Sequence, residues 1–302
     1  MRVPPATDTT PGDLHEARIG AAYALGAFLI WSGVPLYFKL VASIPATEVL
    51  GHRVLWSLLF VTLLLAGRRH WSGVGTALAD PRLRRRLALS SLLVSINWLV
   101  FIWAIANDHL LDASLGYFIN PLVNVVLGVL LLGERLRRLQ WIAVLLALAG
   151  VANLVWQHGS LPWIALTLAF SFGGYGLVRK QTPVDSLSAL FVETLLLAPL
   201  ALAYLLFLGF DGDGHFLRVD IATDGLLLLA GVVTAMPLLL FGGAARRLRL
   251  STLGLLQYTV PTGHFLLAVF VFGEPFTPAH AFTFGAIWLA LLIYSLDMLR
   301  RQ

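Results

Sequence analysis

Residues 97–134 read NWLVFIWAIANDHLLDASLGYFINPLVNVVLGVLLLGE, and residues 237–274 read PLLLFGGAARRLRLSTLGLLQYTVPTGHFLLAVFVFGE. The two stretches align without a gap at a constant offset of 140 residues. Leu99 meets Leu239, Phe101 meets Phe241, Ala104 meets Ala244, Pro121 meets Pro261, and Gly133-Glu134 meets Gly273-Glu274. Leucine matches in an apolar sequence carry little weight. A shared proline twelve residues before a shared Gly-Glu carries more, and marks an internal repeat of about half the chain.

The 302-residue chain is 58% hydrophobic and 12% charged, with a mean hydropathy of +0.83. A soluble domain carries about 25% charged residues. The class is therefore an all-α polytopic membrane protein. Cysteine is absent, which removes disulfides, thiolate chemistry and Cys-metal sites; no metal and no cofactor is expected. The net charge of +5 suggests no nucleic acid, because the bases cluster in short loops between apolar runs.

Residues 1–17 are polar and read as a disordered tail without a signal-peptide cleavage site. Ten apolar segments follow, near 18–41, 46–67, 86–106, 112–133, 138–157, 160–178, 186–208, 224–244, 250–272 and 277–298. The loops between them alternate in charge. One set, with both termini, holds 18 of the 21 bases; the other holds Asp108, Asp112, Asp211, Asp213, Asp220 and Asp224, with Arg218 its only base. The positive-inside rule then puts both termini in the cytoplasm. Five segments per half is an odd number, so the second half runs through the bilayer in the opposite sense. Residues 18–157 and 158–302 are thus expected to be inverted repeats around a central cavity.

The fifth and tenth segments are nearly free of polar side chains. Their Ala143, Ala147, Gly150, Gly285, Ala286 and Ala290 suit close packing, as scaffold or as a homodimer face of an otherwise monomeric protein. Polar residues gather in the other eight. Glu48 and His52 share one helix face, and Arg53 lies about 10 Å below the helix end at 1.5 Å per residue. A charge at that depth costs about 2.5–3.5 kcal/mol and needs a partner or a watery cavity. Arg53 is read either as an anchor for an anionic or dipolar substrate or as part of a structural ion pair with Glu48 and Lys39. Glu48 with His52 is also a candidate proton relay.

Glu193 is the mate of Arg53 under the offset. Its expected partners are Arg179 and Lys180, as an inner gate pair or, more sharply, with Glu193 carrying a proton. Asn97 and Trp98 fall mid-segment. Pro121, Pro237 and Pro261 break helices at depth, tolerable only against protein or a hydrated cavity. Tyr117, Asn120, Asn124, Gln257, Tyr258 and His264 lie within about two turns of those breaks. With Trp31 and Tyr175 they form the candidate substrate wall; the alternative is interhelical hydrogen-bond glue worth about 0.6 kcal/mol per contact.

The pieces EVLGHRVLWS (48–57), NWLVFIWAIANDHLLDASLGYFINPL (97–122), SFGGYGLVRK (171–180), ETLLLAPLALAYL (193–205), TAMPLLLFGGAARRLRLSTLGLLQYTVPT (234–262) and FLLAVFVFGEPF (265–276) resemble the RarD family of the drug/metabolite transporter superfamily, related to EamA-type permeases. The resemblance implies a ten-helix inner-membrane protein with two inverted five-helix repeats and a central cavity. It also implies chloramphenicol-like substrates, from the family's link to chloramphenicol sensitivity. The function expected is a secondary-active or facilitative transporter that exports small amphipathic metabolites or drugs, chloramphenicol-like or amino-acid-like. An intramembrane enzyme is disfavoured, since HExxH and GxSxG are both missing. A non-transporting sensor is the remaining alternative.

Overall fold

The computed structural model describes residues 11–69, 71–132, 138–245, 247–248 and 256–299. Among the described residues every regular element is helical: α1 (Pro11–Leu40), α2 (Ala46–Arg68), α3 (Ser72–Ala79), α4 (Pro81–Ala106), α5 (Leu110–Leu132), α6 (Arg138–His158), α7 (Trp163–Lys180), α8 (Ser186–Asp211), α9 (Ile221–Ala245), α10 (Thr259–Leu266, running into a π turn at Leu267–Val271) and α11 (Pro278–Leu299). Residues 1–10, Gly133-Glu134 and the start of the ninth expected segment at 250–255 lie outside the described residues.

Among the described residues, six helices are long and apolar enough to span a bilayer: α1 over Arg18–Leu40, α2, α4, α6 over Arg138–Gln157, α8, and α9 over Ile221–Phe241. A lipid-facing backbone must satisfy its own N–H and C=O groups, which an α-helix does within the segment. The chain is a polytopic helical membrane protein.

Three sequence expectations need correction. The first helix begins at Pro11, so residues 11–17 are helical and not tail; the Arg247 Nε–Glu16 Oε2 pair at 2.9 Å ties that end to the turn just past α9. The third segment begins at Pro81 and not at 86, because Asp80 caps it: its carboxylate accepts the Arg82 N–H at 2.7 Å, with proline in the first turn. Arg82, Arg84, Arg85 and Arg86 therefore ride on α4, and the short α3 fills the connection before it. Finally, α5 and α9 run unbroken through Pro121 and Pro237. An interior proline removes one ladder bond without ending these helices. The irregular stretch is instead on α10, with a turn at Tyr258 and the π turn at Leu267–Val271.

Helix α2 packs between α8 and α9, α1 on α9, α4 on α7 and α8, α5 on α7, and α10 on α1 and α5. Helices α6 and α11 pack chiefly on each other, where Thr283 Oγ1 donates to Gly150 O at 3.0 Å. The connections gather at two ends. Lys39–Asp108, Glu48–His215 and Glu274–Leu110 join the connections after α1, α4, α8 and α10 at one end, called here the acidic end. Arg86–Gln181 and Arg247–Glu16 lie at the other, basic, end.

Two crossings are tight enough to require glycine. A Cβ on Gly231 of α9 would overlap the Trp56 carbonyl of α2, and one on Gly116 of α5 would sit 2.6 Å from the Ala165 carbonyl of α7. Backbone cannot yield as a side-chain tip does. Gly231→Ala and Gly116→Ala should each destabilise the protein by about 1–3 kcal/mol. Gly33→Ala and Gly225→Ala, where nothing lies within 4 Å, should be silent in the same thermal melts in detergent.

Candidate functional site

Arg53, on α2, is only 8% exposed. Its guanidinium carbon lies 4.1 Å from the Trp98 ring centroid and 5.4 Å from that of Phe38. No carboxylate pairs with it among the described residues, and its buried Nε has no hydrogen-bond partner there. The expected ion pair with Glu48 and Lys39 does not form. The three side chains are drawn to different neighbours: Lys39 Nζ reaches Asp108 Oδ1 at 2.5 Å, and Glu48 turns to His215.

A polar chain runs beside Arg53. Tyr117 Oη donates to Asn97 Oδ1 at 3.0 Å, while Asn97 Nδ2 donates to Leu168 O and Ser171 Oγ, both at 3.1 Å. Asn124 Nδ2 donates to Asn120 Oδ1 at 3.2 Å, and Asn120 Nδ2 to Ala169 O at 2.9 Å. These bonds stitch α4 and α5 to α7. His264 of α10 is buried, and its Nε2 is 3.0 Å from the Trp31 carbonyl of α1. A carbonyl only accepts, so Nε2 carries the proton and the neutral ring keeps a bare acceptor at Nδ1. That Nδ1 is buried with no partner. The ring packs on Phe101 at 5.2 Å and Tyr117 at 5.8 Å between centroids. The structure thus brings together Arg53, Trp98, Asn97, Tyr117, Asn120, Asn124, His264 and Trp31. Tyr258 packs partly buried against the same core, whereas Gln257 is exposed.

Glu48, 1% exposed, lies toward the acidic end. Its Oε1 accepts the His215 backbone N–H at 2.7 Å and its Oε2 lies 2.8 Å from His215 Nδ1. Among the described residues no hydrogen bond joins Glu48 to His52: His52 Nδ1 accepts from Trp56 Nε1 at 3.1 Å, and its ring lies against Phe216. A cavity of about 250 Å³ opens here, lined by Glu48, His52, Trp56, Leu205, Phe216 and Arg218. Toward the basic end, Glu193 Oε1 accepts from Ser90 Oγ at 2.5 Å and lies 3.9 Å from Arg179 Nε. Tyr175 interacts with both Glu193 and Arg179. The expected Arg179 pairing is present; Lys180 is exposed and takes no part in it.

Sequence reasoning missed His215, Ser90 and the task of Glu274. The Glu274 carboxylate receives the Leu110 and Leu111 N–H groups, each at 2.7 Å, at the N-terminus of α5. Burial pushes its carboxyl above the usual range, and the two N–H donors pull it back only in part. Half of the repeat's Gly-Glu landmark is therefore a helix cap donated across the molecule. The landmark was visible in sequence; its partner 164 residues away was not. His215 carried one weak signal, a histidine inside an otherwise acidic loop.

A model of the EamA-like transporter family matches residues 18–156. Protein RarD of Salmonella typhi is 50% identical over 290 residues, covering 96% of this chain and 99% of that protein. Protein RarD of Escherichia coli K12 is 48% identical over 290 residues, covering 96% and 98%. A Pseudomonas aeruginosa relative named chloramphenicol-sensitive protein RarD is 35% identical over 290 residues, covering 94% and 96%. A solved crystal structure superposes with a TM-score of 0.59 at 19% identity, covering 92% of this chain and 97% of that one, and so shares the fold.

The cap and the Glu48 pair can be separated by stability measurements. Glu274→Ala should cost about 0.5–2 kcal/mol, the range for losing a helix cap, with Glu274→Gln in between because it keeps one acceptor. For Glu48→Gln and His215→Ala, the double variant should lose less than the sum of the singles, since each single strands the other group.

Proposed function

Because this chain belongs to the RarD family of EamA-like transporters, we propose that it is a secondary transporter working by alternating access, with Arg53 as its substrate anchor. The observation that carries this reading is the guanidinium itself. Removing a charge from water costs several kcal/mol even after relaxation, whereas each cation–π contact returns about 0.5–2 kcal/mol. A charged group held at depth without an anion is out of balance as a structural element. It is in balance as a group awaiting a ligand.

The proposal includes ten spans arranged as two inverted five-helix halves. Two features support it. Packing pairs exchange under the 140-residue offset: α1 on α9 corresponds to α7 on α4, α2 on α9 to α8 on α4, and α1 on α10 to α7 on α5. Helices also reverse: α1 ends near Asp108 at the acidic end, whereas its counterpart α7 ends near the basic end, where Arg86 reaches Gln181. In this scheme the acidic end faces out of the cell, both termini face the cytoplasm, and the membrane is the inner one. Glu48–His215 and Glu274–α5 close the site from outside; Glu193–Arg179–Ser90 closes it from inside. Trp98, Asn97, Tyr117, Asn120, Asn124, His264, Tyr258 and Trp31 form the wall, and Tyr175 joins the inner closure. An aromatic wall with a cationic anchor suits small amphipathic solutes, in keeping with the chloramphenicol sensitivity in one relative's name.

Arg53→Ala in proteoliposomes should abolish solute exchange while detergent melting stays near wild type; equal loss of folding would make the arginine structural. If protons drive export, a protonophore should collapse uptake into everted vesicles, and Glu193→Gln should remove that sensitivity. Uptake indifferent to the protonophore would mean facilitated diffusion.

A further inference from the structure

Two side chains in the proposed site are buried and unsatisfied, and their polarities are opposite. Arg53 offers a bare Nε–H donor and a full positive charge. His264 offers a bare Nδ1 acceptor. Both border Tyr117: its ring lies 5.8 Å from that of His264, and it interacts electrostatically with the Arg53 guanidinium. The buried carboxylates of the neighbouring helices are already engaged. Glu48 holds the backbone and ring of His215, and Glu193 holds Ser90 beside Arg179. The site therefore presents a free positive charge and a free neutral acceptor, but no free negative charge among the described residues.

We infer that the transported solute is an aromatic or apolar monocarboxylate with a neutral hydrogen-bond donor near the carboxylate, such as a hydroxy acid or an N-acylated acid, and not a zwitterion or a cation. This rests on Arg53 being the substrate anchor. The carboxylate supplies the counter-charge that Arg53 lacks, in the two-oxygen geometry a guanidinium fork matches. The apolar body lies against Trp98, Phe38 and Phe101. The neutral donor satisfies His264 Nδ1. An ammonium group in its place would bring a second positive charge toward a buried guanidinium with no carboxylate to receive it, and desolvating it would go uncompensated.

Four probes share one phenyl frame: hydrocinnamate, phenyllactate with an added hydroxyl, phenylalanine with an added ammonium, and phenethylamine without the carboxylate. Binding is read on the purified full-length protein by thermal shift and calorimetry. Phenyllactate should bind best, hydrocinnamate next, and phenylalanine at least about tenfold more weakly than phenyllactate, a factor that corresponds to 1.4 kcal/mol. Phenethylamine should not bind. Phenylalanine or phenethylamine binding as tightly as phenyllactate overturns the inference, as does failure of both acids to bind. Arg53→Lys should weaken both acids alike, because the point charge lacks the fork; should that variant fail to fold, the wild-type ranking decides. His264→Phe should erase the advantage of phenyllactate over hydrocinnamate and leave the charge ranking intact; a surviving advantage removes His264 from the proposal. Counterflow of labelled phenyllactate in proteoliposomes separates the two levels. Arg53-dependent binding without exchange sinks the transporter reading and keeps the site, whereas exchange of phenylalanine in preference to phenyllactate keeps the transporter and sinks the charge rule.

Discussion

Buried polar groups in a bilayer protein have no water to fall back on, and this structure meets that constraint by crossing its own chain. Glu48 on α2 is satisfied by His215, 167 residues away. The N-terminus of α5 is satisfied by Glu274, 164 residues away. Ser114 Oγ donates to the Pro261 carbonyl at 2.8 Å, Asn97 to Ser171, and His264 to the Trp31 carbonyl. Each bond joins the first half of the chain to the second. Hydrocarbon gives two helical halves little apolar reason to associate, since lipid is as greasy as leucine. Polar closure across the seam and close glycine crossings supply the reason instead.

Against that background Arg53 and His264 stand out: the Arg53 guanidinium has found two aromatic faces and no anion among the described residues, and His264 Nδ1 has no partner there. The carboxylates that flank Arg53 at either end hold other partners. The cavity lined by Glu48 and His52 lies on the acidic side of Arg53.

Much of this was legible in the sequence because bilayer physics writes in long, simple patterns. The helical class came from composition. The repeat came from a proline and a Gly-Glu at fixed spacing, and the two ends from alternating loop charge. The burial of Arg53 followed from its depth in the second segment. What sequence could not supply was pairing between distant residues. Arg53, Glu48 and Lys39 looked like one cluster because they are close in the chain, yet they diverge toward Phe38 and Trp98, His215, and Asp108. Helix starts were misjudged where hydropathy outweighed capping: Asp80-Pro81 is a clear N-terminal signal that the arginines after it obscured. Pro121 and Pro237 were read as breaks, but α5 and α9 continue through them, whereas Pro261 does lie just past a turn at Tyr258.

The central claim is that the halves are inserted in opposite senses around Arg53, and the absence of cysteine makes it directly testable. Single cysteines at Asn107 and Arg247, mates under the offset, can be labelled with a membrane-impermeant maleimide in intact and permeabilised cells. The account predicts that Asn107→Cys reacts in intact cells and Arg247→Cys only after permeabilisation. Both reacting from the same side of the membrane would contradict it.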